Sequence, residues 1–180
     1  ITGSLNTAQQ YFDRGLAFYN KGWLDEAINS YRMSLEMRSG NFPRAYYHLA
    51  HALLDAGEIT EAIEAFRQAI EQQPENPDAY YNLGLTLKMQ GRYNESFDAF
   101  HKAVWNAAWQ DAAYFELARL ASRKGDFPQA LDYVDRALNR NGRHHKARHL
   151  KIGLLRRTGQ VDEARLESTR SLVADPMEYG

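Results

Sequence analysis

The 180-residue chain is predicted to fold as an all-α solenoid of five tandem helix-turn-helix repeats, and three observations carry that prediction. Glycines recur at Gly22, Gly57, Gly91, Gly125 and Gly159, spaced by 35, 34, 34 and 34 residues. Five residues after each stands a small side chain: Ala27, Ala62, Ser96, Ala130 and Ala164. Between the glycines apolar residues recur at helical spacing, and no strand pattern competes. A period near 34 is one supersecondary unit copied, and such a unit buries its apolar face only against its neighbours. The chain therefore reads as a stacked array offering surface to a partner rather than a globule built around a cleft.

Each repeat is expected to hold two helices. The first repeat places Tyr11, Gly15 and Phe18 on one helix face, then Gly22, then Ala27 and Tyr31 on the next. The second gives Tyr46, Leu49-Ala50 and Leu53, the turn Gly57, then Ala62, Phe66, Ala69 and Pro74. In the third, Tyr80, Leu83, Gly84 and Leu87 fall at i, i+3, i+4 and i+7. Gly91 stops that helix, because glycine tolerates the left-handed C-terminal turn. Phe97, Phe100, Ala103 and Val104 then restart the pattern. The fourth repeats it with Tyr114, Leu117-Ala118, Ala121, Gly125, Ala130, Val134 and Ala137.

The fifth repeat departs. Ala147 keeps the column of Ala45, Ala79 and Ala113, but Arg148 and Lys151 stand where Tyr and Leu are expected. Ser168 and Ser171 replace larger or more apolar residues, so this repeat is expected to end the array with a solvated outer face. The second helices are expected to open on an N-cap column of Asp25, Thr60, Asn94 and Asp162, with Pro128 in the fourth repeat. Acids follow at Glu26, Glu61, Glu95 and Glu163, near the positive helix end. Pro74, Pro77 and Asp175-Pro176 mark helix ends.

These residues resemble the tetratricopeptide repeat (TPR) pattern, with repeats over 8–42, 43–76, 77–110, 111–144 and 145–176 of one domain, a lead-in at 1–7 and a tail at 177–180. The resemblance implies a right-handed superhelical array whose first helices line a concave groove. It implies a protein-interaction scaffold that binds a peptide or partner segment there. No phosphate loop, nucleophile elbow or paired cleft carboxylates occur in the sequence, so neither catalysis nor a cofactor is expected. Carried onto this chain, one file of equivalent positions runs through Phe12, Tyr47, Tyr81, Phe115 and His149, with His51, Asn82, Lys88, Arg119 and Arg123 beside it. The rings can serve as ligand anchors or can pack sideways and stiffen the stack, and both readings stand. The family's carboxylate clamp of Lys, Asn, Asn, Lys and Arg is not reproduced: Phe12 with Leu16 and Tyr47 with His51 stand at its first positions, and only Asn82 matches, with Ala112 and Glu116 in the later Lys and Arg positions. Self-association and a regulatory role within a larger protein are the alternatives, with a monomer or weak dimer expected.

Composition sets further bounds. Net charge is −1, against the strong basicity usual in nucleic-acid binders, and no apolar run reaches the roughly 20 residues of a membrane helix. Residues 140–170 carry nine Lys/Arg against Asp162, Glu163 and Glu167, so the C-terminal region is basic and a ligand of acidic character is expected. Cysteine is absent, which excludes disulfides and thiolate metal sites. His144, His145 and His149 have no carboxylate or Cys at ligand spacing, so no metal is expected. Asn94-Glu95-Ser96 matches a glycosylation sequon by coincidence of columns. No signal segment is visible; the chain opens at Ile1 without a Met, which leaves its location open with the cytoplasm favoured.

Overall fold

The computed structural model describes residues 2–174, and among them the chain is all-α. Ten helices follow in order: α1 (Thr2–Asn20), α2 (Leu24–Met37), α3 (Pro43–Asp55), α4 (Ile59–Gln72), α5 (Pro77–Met89), α6 (Tyr93–Ala103), α7 (Gln110–Lys124), α8 (Phe127–Arg140), α9 (His145–Arg157) and α10 (Val161–Ala174). Successive helices pack in pairs, α1 on α2, α3 on α4, α7 on α8 and α9 on α10. Each second helix also packs on the helix that follows it, as α2 on α3, α4 on α5 and α8 on α9. The chain divides into an N-terminal and a C-terminal compact unit, separated in sequence between Ala99 and Phe100, within α6. Asp175 and Pro176, expected to mark a helix end, and the tail at 177–180 lie outside the described residues.

The recurring glycines are explained by backbone conformation. Gly22, Gly57, Gly91, Gly125 and Gly159 all have φ between +76° and +85°, and an added Cβ at any of them would meet nothing within 4 Å. At Gly57 the amide donates to Leu54 O (3.0 Å) and the following Glu58 amide to Leu53 O (2.8 Å). This pair of bonds is the Schellman ending, which satisfies carbonyls a helix terminus leaves unpaired. Equivalent pairs close α1, α5, α7 and α9. Gly15 has a different reason: a Cβ there would sit 2.6 Å from the Tyr31 ring, so the residue is small to admit a close helix approach.

The small-residue column is fully buried, with Ala27, Ala62, Ser96 and Ala130 at 0% exposure. Ser96 also donates its hydroxyl to Gly84 O at 2.7 Å, tying α6 to α5. In the N-terminal unit Phe12, Tyr31, Ile63, Phe66 and Leu87 are buried to 2% or less. In the C-terminal unit Phe100, Leu117 and Val134 are fully buried. Each such side chain contributes about 1.5–3 kcal/mol by leaving water.

Three expectations are corrected. The column of Asp25, Thr60, Asn94 and Asp162 does not cap its helices, which begin one residue earlier. The N-caps of α2 and α4 are Trp23 and Glu58, neither with a side-chain cap bond, so the column lies in the first turn. Thr60 instead accepts a bond from Gln90 Nε2 at 2.9 Å. In the repeat with proline in that column the second helix does have a side-chain cap: Asp126 accepts from the Gln129 amide, with Pro128 just inside the helix. Second, α6 stops at Ala103, and Val104 is buried outside it.

Third, the fifth repeat is not a solvated face at its departing positions. Side chains of Arg148 and Lys151 are only 13% and 19% exposed. They converge on Glu167, whose side chain is 6% exposed, at 3.1 and 3.4 Å. Arg170 joins Glu167 at 2.7 Å, Lys151 reaches Asp135 at 2.8 Å, and Arg148 also donates to Gly142 O at 2.7 Å. Burial, the largest influence, pushes the Glu167 carboxyl up, but Lys151 and Arg170 outweigh it and hold it below the ordinary carboxylate range. Ionic pairing thus replaces the aromatic and aliphatic packing that Tyr46 and Leu49 supply in the second repeat.

Candidate functional site

The N-terminal unit gathers a cluster of rings and polar groups from α1, α3, α4 and α5. Tyr47 is partly buried, edge-on to His51 at 4.8 Å and to His48 at 5.4 Å between ring centroids. His51 in turn lies edge-on to Phe66 at 5.3 Å. From α1, the Tyr19 hydroxyl donates to Asp55 Oδ2 at 2.5 Å. Asn82 donates its amide to Asp78 O at 2.8 Å, with the Tyr47 hydroxyl 3.4 Å away. Tyr81 and Lys88 are partly buried on α5.

Burial decides the protonation of this face. It pulls the His48 imidazole down to about 4, with His51 and Arg44 adding to the effect. It also pulls His51 down, against the upward influence of Asp55 and Asp78. Tyr19 is pushed up to about 12, first by burial and then by Asp55, and burial likewise raises Tyr47. At neutral pH the face therefore presents phenols and uncharged imidazoles beside the Asp55 and Asp78 carboxylates. It is suited to hydrogen bonding and ring contact rather than to proton transfer, because burial lowers both imidazole pKa values and takes them further from pH 7.

Phe12 does not belong to this face. It is 0% exposed, enclosed by Tyr31 (5.8 Å), Phe42 (5.1 Å) and His48 (5.4 Å), with the Arg44 guanidinium 5.1 Å from its ring. Phe42 is the cause: the equivalent positions in later repeats are Asn76, Gln110 and His144, so only this ring is roofed by a phenylalanine. Phe12 is a core residue, and the expected file starts at Tyr47.

In the C-terminal unit, Phe115 is partly buried against the His144 ring at 4.9 Å. The Arg119 guanidinium lies 5.8 Å from the Phe115 ring and 3.4 Å from Glu116 Oε1. Arg123 and His149 are exposed. His144 is spent on structure, since its Nδ1 accepts the Ala147 amide at 3.1 Å and caps α9. Sequence reasoning missed a second cluster here, formed by His101, Trp105, Tyr114, Tyr133 and Arg136. The signal available was local departure from the columns, with Tyr133 where Ser30, Ala65 and Ala99 stand.

Tetratricopeptide repeat family models match residues 8–41, 78–107 and 115–176, and a TPR repeat model matches 50–91. The chain belongs to the tetratricopeptide repeat family, whose members are protein-binding scaffolds. No matched family is a catalytic domain. The small glutamine-rich tetratricopeptide repeat-containing protein 2 of Mycosarcoma maydis is 32% identical over 71 residues, 39% of this chain and 20% of that protein. The match thus spans about a fifth of that relative's length. Among solved structures, the chain is similar to the MamA protein at a TM-score of 0.86 and 23% identity, over 93% of this chain and 91% of that one. It is also similar to YrrB, described as a TPR protein with an unusual peptide-binding site, at 0.77 and 19% identity, over 93% and 86%. No helix among the described residues is long and apolar enough to cross a membrane.

Proposed function

We propose that the chain binds an extended peptide or partner segment along the groove face of its first helices, with Tyr47 and Tyr81 as anchors. The observation that carries this reading is the Tyr47 cluster. Its ring is held by His48, His51 and Phe66 yet stays partly open to solvent, so a ligand meets a preorganised aromatic surface. Tyr47 and Tyr81 occupy equivalent positions of successive repeats, roughly 10 Å apart by helix packing distance. An extended segment rises about 3.3 Å per residue, so every third ligand residue can meet a ring. Asn82, His51, Asp55 and Lys88 supply hydrogen bonds for the ligand backbone between the anchors. In the C-terminal unit, Phe115, Arg119, Arg123 and His149 carry the corresponding role towards acidic ligand residues. YrrB's described peptide-binding site supports the reading by likeness of fold.

A random-peptide library selected on the wild-type protein tests it. Selected peptides are expected to bind Tyr47→Ala/Tyr81→Ala at least tenfold more weakly, with helicity unchanged. Equal binding by the double variant refutes the groove. A second reading, self-association, draws on the exposed apolar residues Leu166, Leu172 and Val173 of α10, and a monomeric mass in solution at high concentration excludes it.

A further inference from the structure

A cleft of about 490 Å³ lies in the C-terminal unit between α8, the end of α6 and the start of α7, with Val104 and Trp105 of their connection in its lining. Tyr47, Tyr81 and Phe115 are not in its lining. Its walls are aromatic. Trp105 is 90% exposed, and the Tyr114 and Tyr133 rings stack at 6.2 Å and 27°. Both tyrosines are fixed by neighbours: the Tyr133 hydroxyl lies 2.9 Å from His101 Nε2, and the Arg136 guanidinium sits 5.7 Å from the Tyr114 ring centroid. Asp132 accepts from Arg136 Nε at 2.9 Å and the Tyr114 side chain also hydrogen-bonds the guanidinium, whose side chain stays 55% exposed.

Departures from the repeat columns account for the aromatic walls of this cleft, since a furrow of similar volume in the N-terminal unit is polar. In the N-terminal unit the furrow between successive second helices is stapled by Arg32–Glu61 and Arg67–Glu95, both at 2.7 Å. The Arg32–Glu61 pair lies in the lining of two cavities of about 500 and 180 Å³, the larger of which has no aromatic residue in its lining. In the C-terminal unit the same columns hold His101 and Gln129, which cannot form the ion pair because the glutamine carries no charge, and the small column holds Tyr133. α6 is also short, 11 residues against 14 in the other second helices, so the chain turns at Val104 and carries Trp105 to the rim. Every change from the repeat pattern adds a ring or removes a bridge.

We propose that this cleft is a second binding site, one that takes an aromatic side chain of an acidic peptide. Its volume lies within the roughly 300–1,000 Å³ of typical ligand sites. The inserted ring packs against Trp105 and the tyrosine stack, contacts that interface anchors favour. A carboxylate beside that ring meets Arg136, whose five N–H donors exceed the bonds it makes to Asp132 and Tyr114, so it can donate to a second acid. Residues 100–139, which build the cleft, balance at five Lys/Arg against five Asp/Glu. The positive excess that favours an acidic partner lies next along the chain, nine Lys/Arg against three Asp/Glu over residues 140–170, whose first helix α9 packs on α8. The site is separate from the groove and stands or falls independently of it.

The test uses the acetylated and amidated peptide Asp-Glu-Phe-Glu-Asp and follows the Trp105 indole N–H by NMR. A saturable shift is expected, weakened at least tenfold by Trp105→Ala, by Arg136→Gln, by alanine in place of the peptide's phenylalanine, and by amides in place of its acids. Trp105 is exposed, so its removal leaves the fold intact, as circular dichroism can verify. Tyr81→Ala is expected to bind as wild type. Absence of a saturable shift at millimolar peptide overturns the proposal, as does undiminished binding by Trp105→Ala. Binding lost in Tyr81→Ala but kept in Trp105→Ala assigns the peptide to the groove and also overturns it.

Discussion

Two glycines with the same letter in the sequence do different work, and substitution separates them. Gly57→Ala forces a side chain into φ +85° with open space around it, so it is expected to cost about 1–2 kcal/mol from backbone strain alone. Gly15→Ala drives a methyl into the fully buried Tyr31 ring and is expected to cost about 1–3 kcal/mol, part of it recovered by Tyr31→Leu. Urea unfolding of the three variants checks both. His48 gives a pH prediction. Its folded-state pKa is about 4, below the ordinary imidazole value near 6.5, so the unfolded chain binds the extra proton between those limits. Stability is thus full above about pH 6.5 and declines as pH falls towards 4, by roughly 2 kcal/mol for a partly exposed group. His48→Gln is expected to flatten the unfolding free energy over that window. The spacing of the glycines was legible in the sequence because a left-handed turn admits few other residues. The burial of Phe12 was not, since it depends on Phe42, which reaches the ring from the lead-in to the next repeat.

Helices repeat more faithfully than their ends do. The 34-residue period placed ten helices in order, because apolar spacing and Schellman glycines are local signals. The N-cap column was misread by two positions: Asp and Thr in a first turn look like caps, and only the hydrogen bonds distinguish the two. The fifth repeat was misread for a physical reason as well. Arg148 and Lys151 look solvated alone, and the partner that buries them, Glu167, lies a helix away. Breaking a buried ionic cluster leaves uncompensated charge, whereas replacing all of it with packed apolar groups is close to neutral. Glu167→Ala is therefore expected to cost about 3–5 kcal/mol. Arg148→Tyr/Lys151→Leu/Glu167→Ala, which restores the residue types of Tyr46, Leu49 and Ala65, is expected to return within about 1 kcal/mol of wild type. By contrast Glu61→Ala, which removes an exposed partner of Arg32, is expected to cost under about 1 kcal/mol. Denaturant midpoints at constant slope compare the three.

Across the whole chain, regularity fixes the scaffold and the exceptions carry the chemistry. Net charge is −5 over residues 1–99 and +4 over residues 100–180, although their sum is almost neutral. Acidic ligands are accordingly expected to favour the C-terminal residues, with affinity that falls as salt shortens the screening length towards about 8 Å at physiological strength. Ring contacts at Tyr47 and Tyr81 are expected to be far less sensitive to salt. Calorimetric titration of a library-selected peptide into wild type and Tyr81→Ala reads whether these rings anchor a partner segment. At least a tenfold rise in Kd is expected for Tyr81→Ala with unchanged helicity; a Kd within twofold of wild type rules out anchoring by the ring.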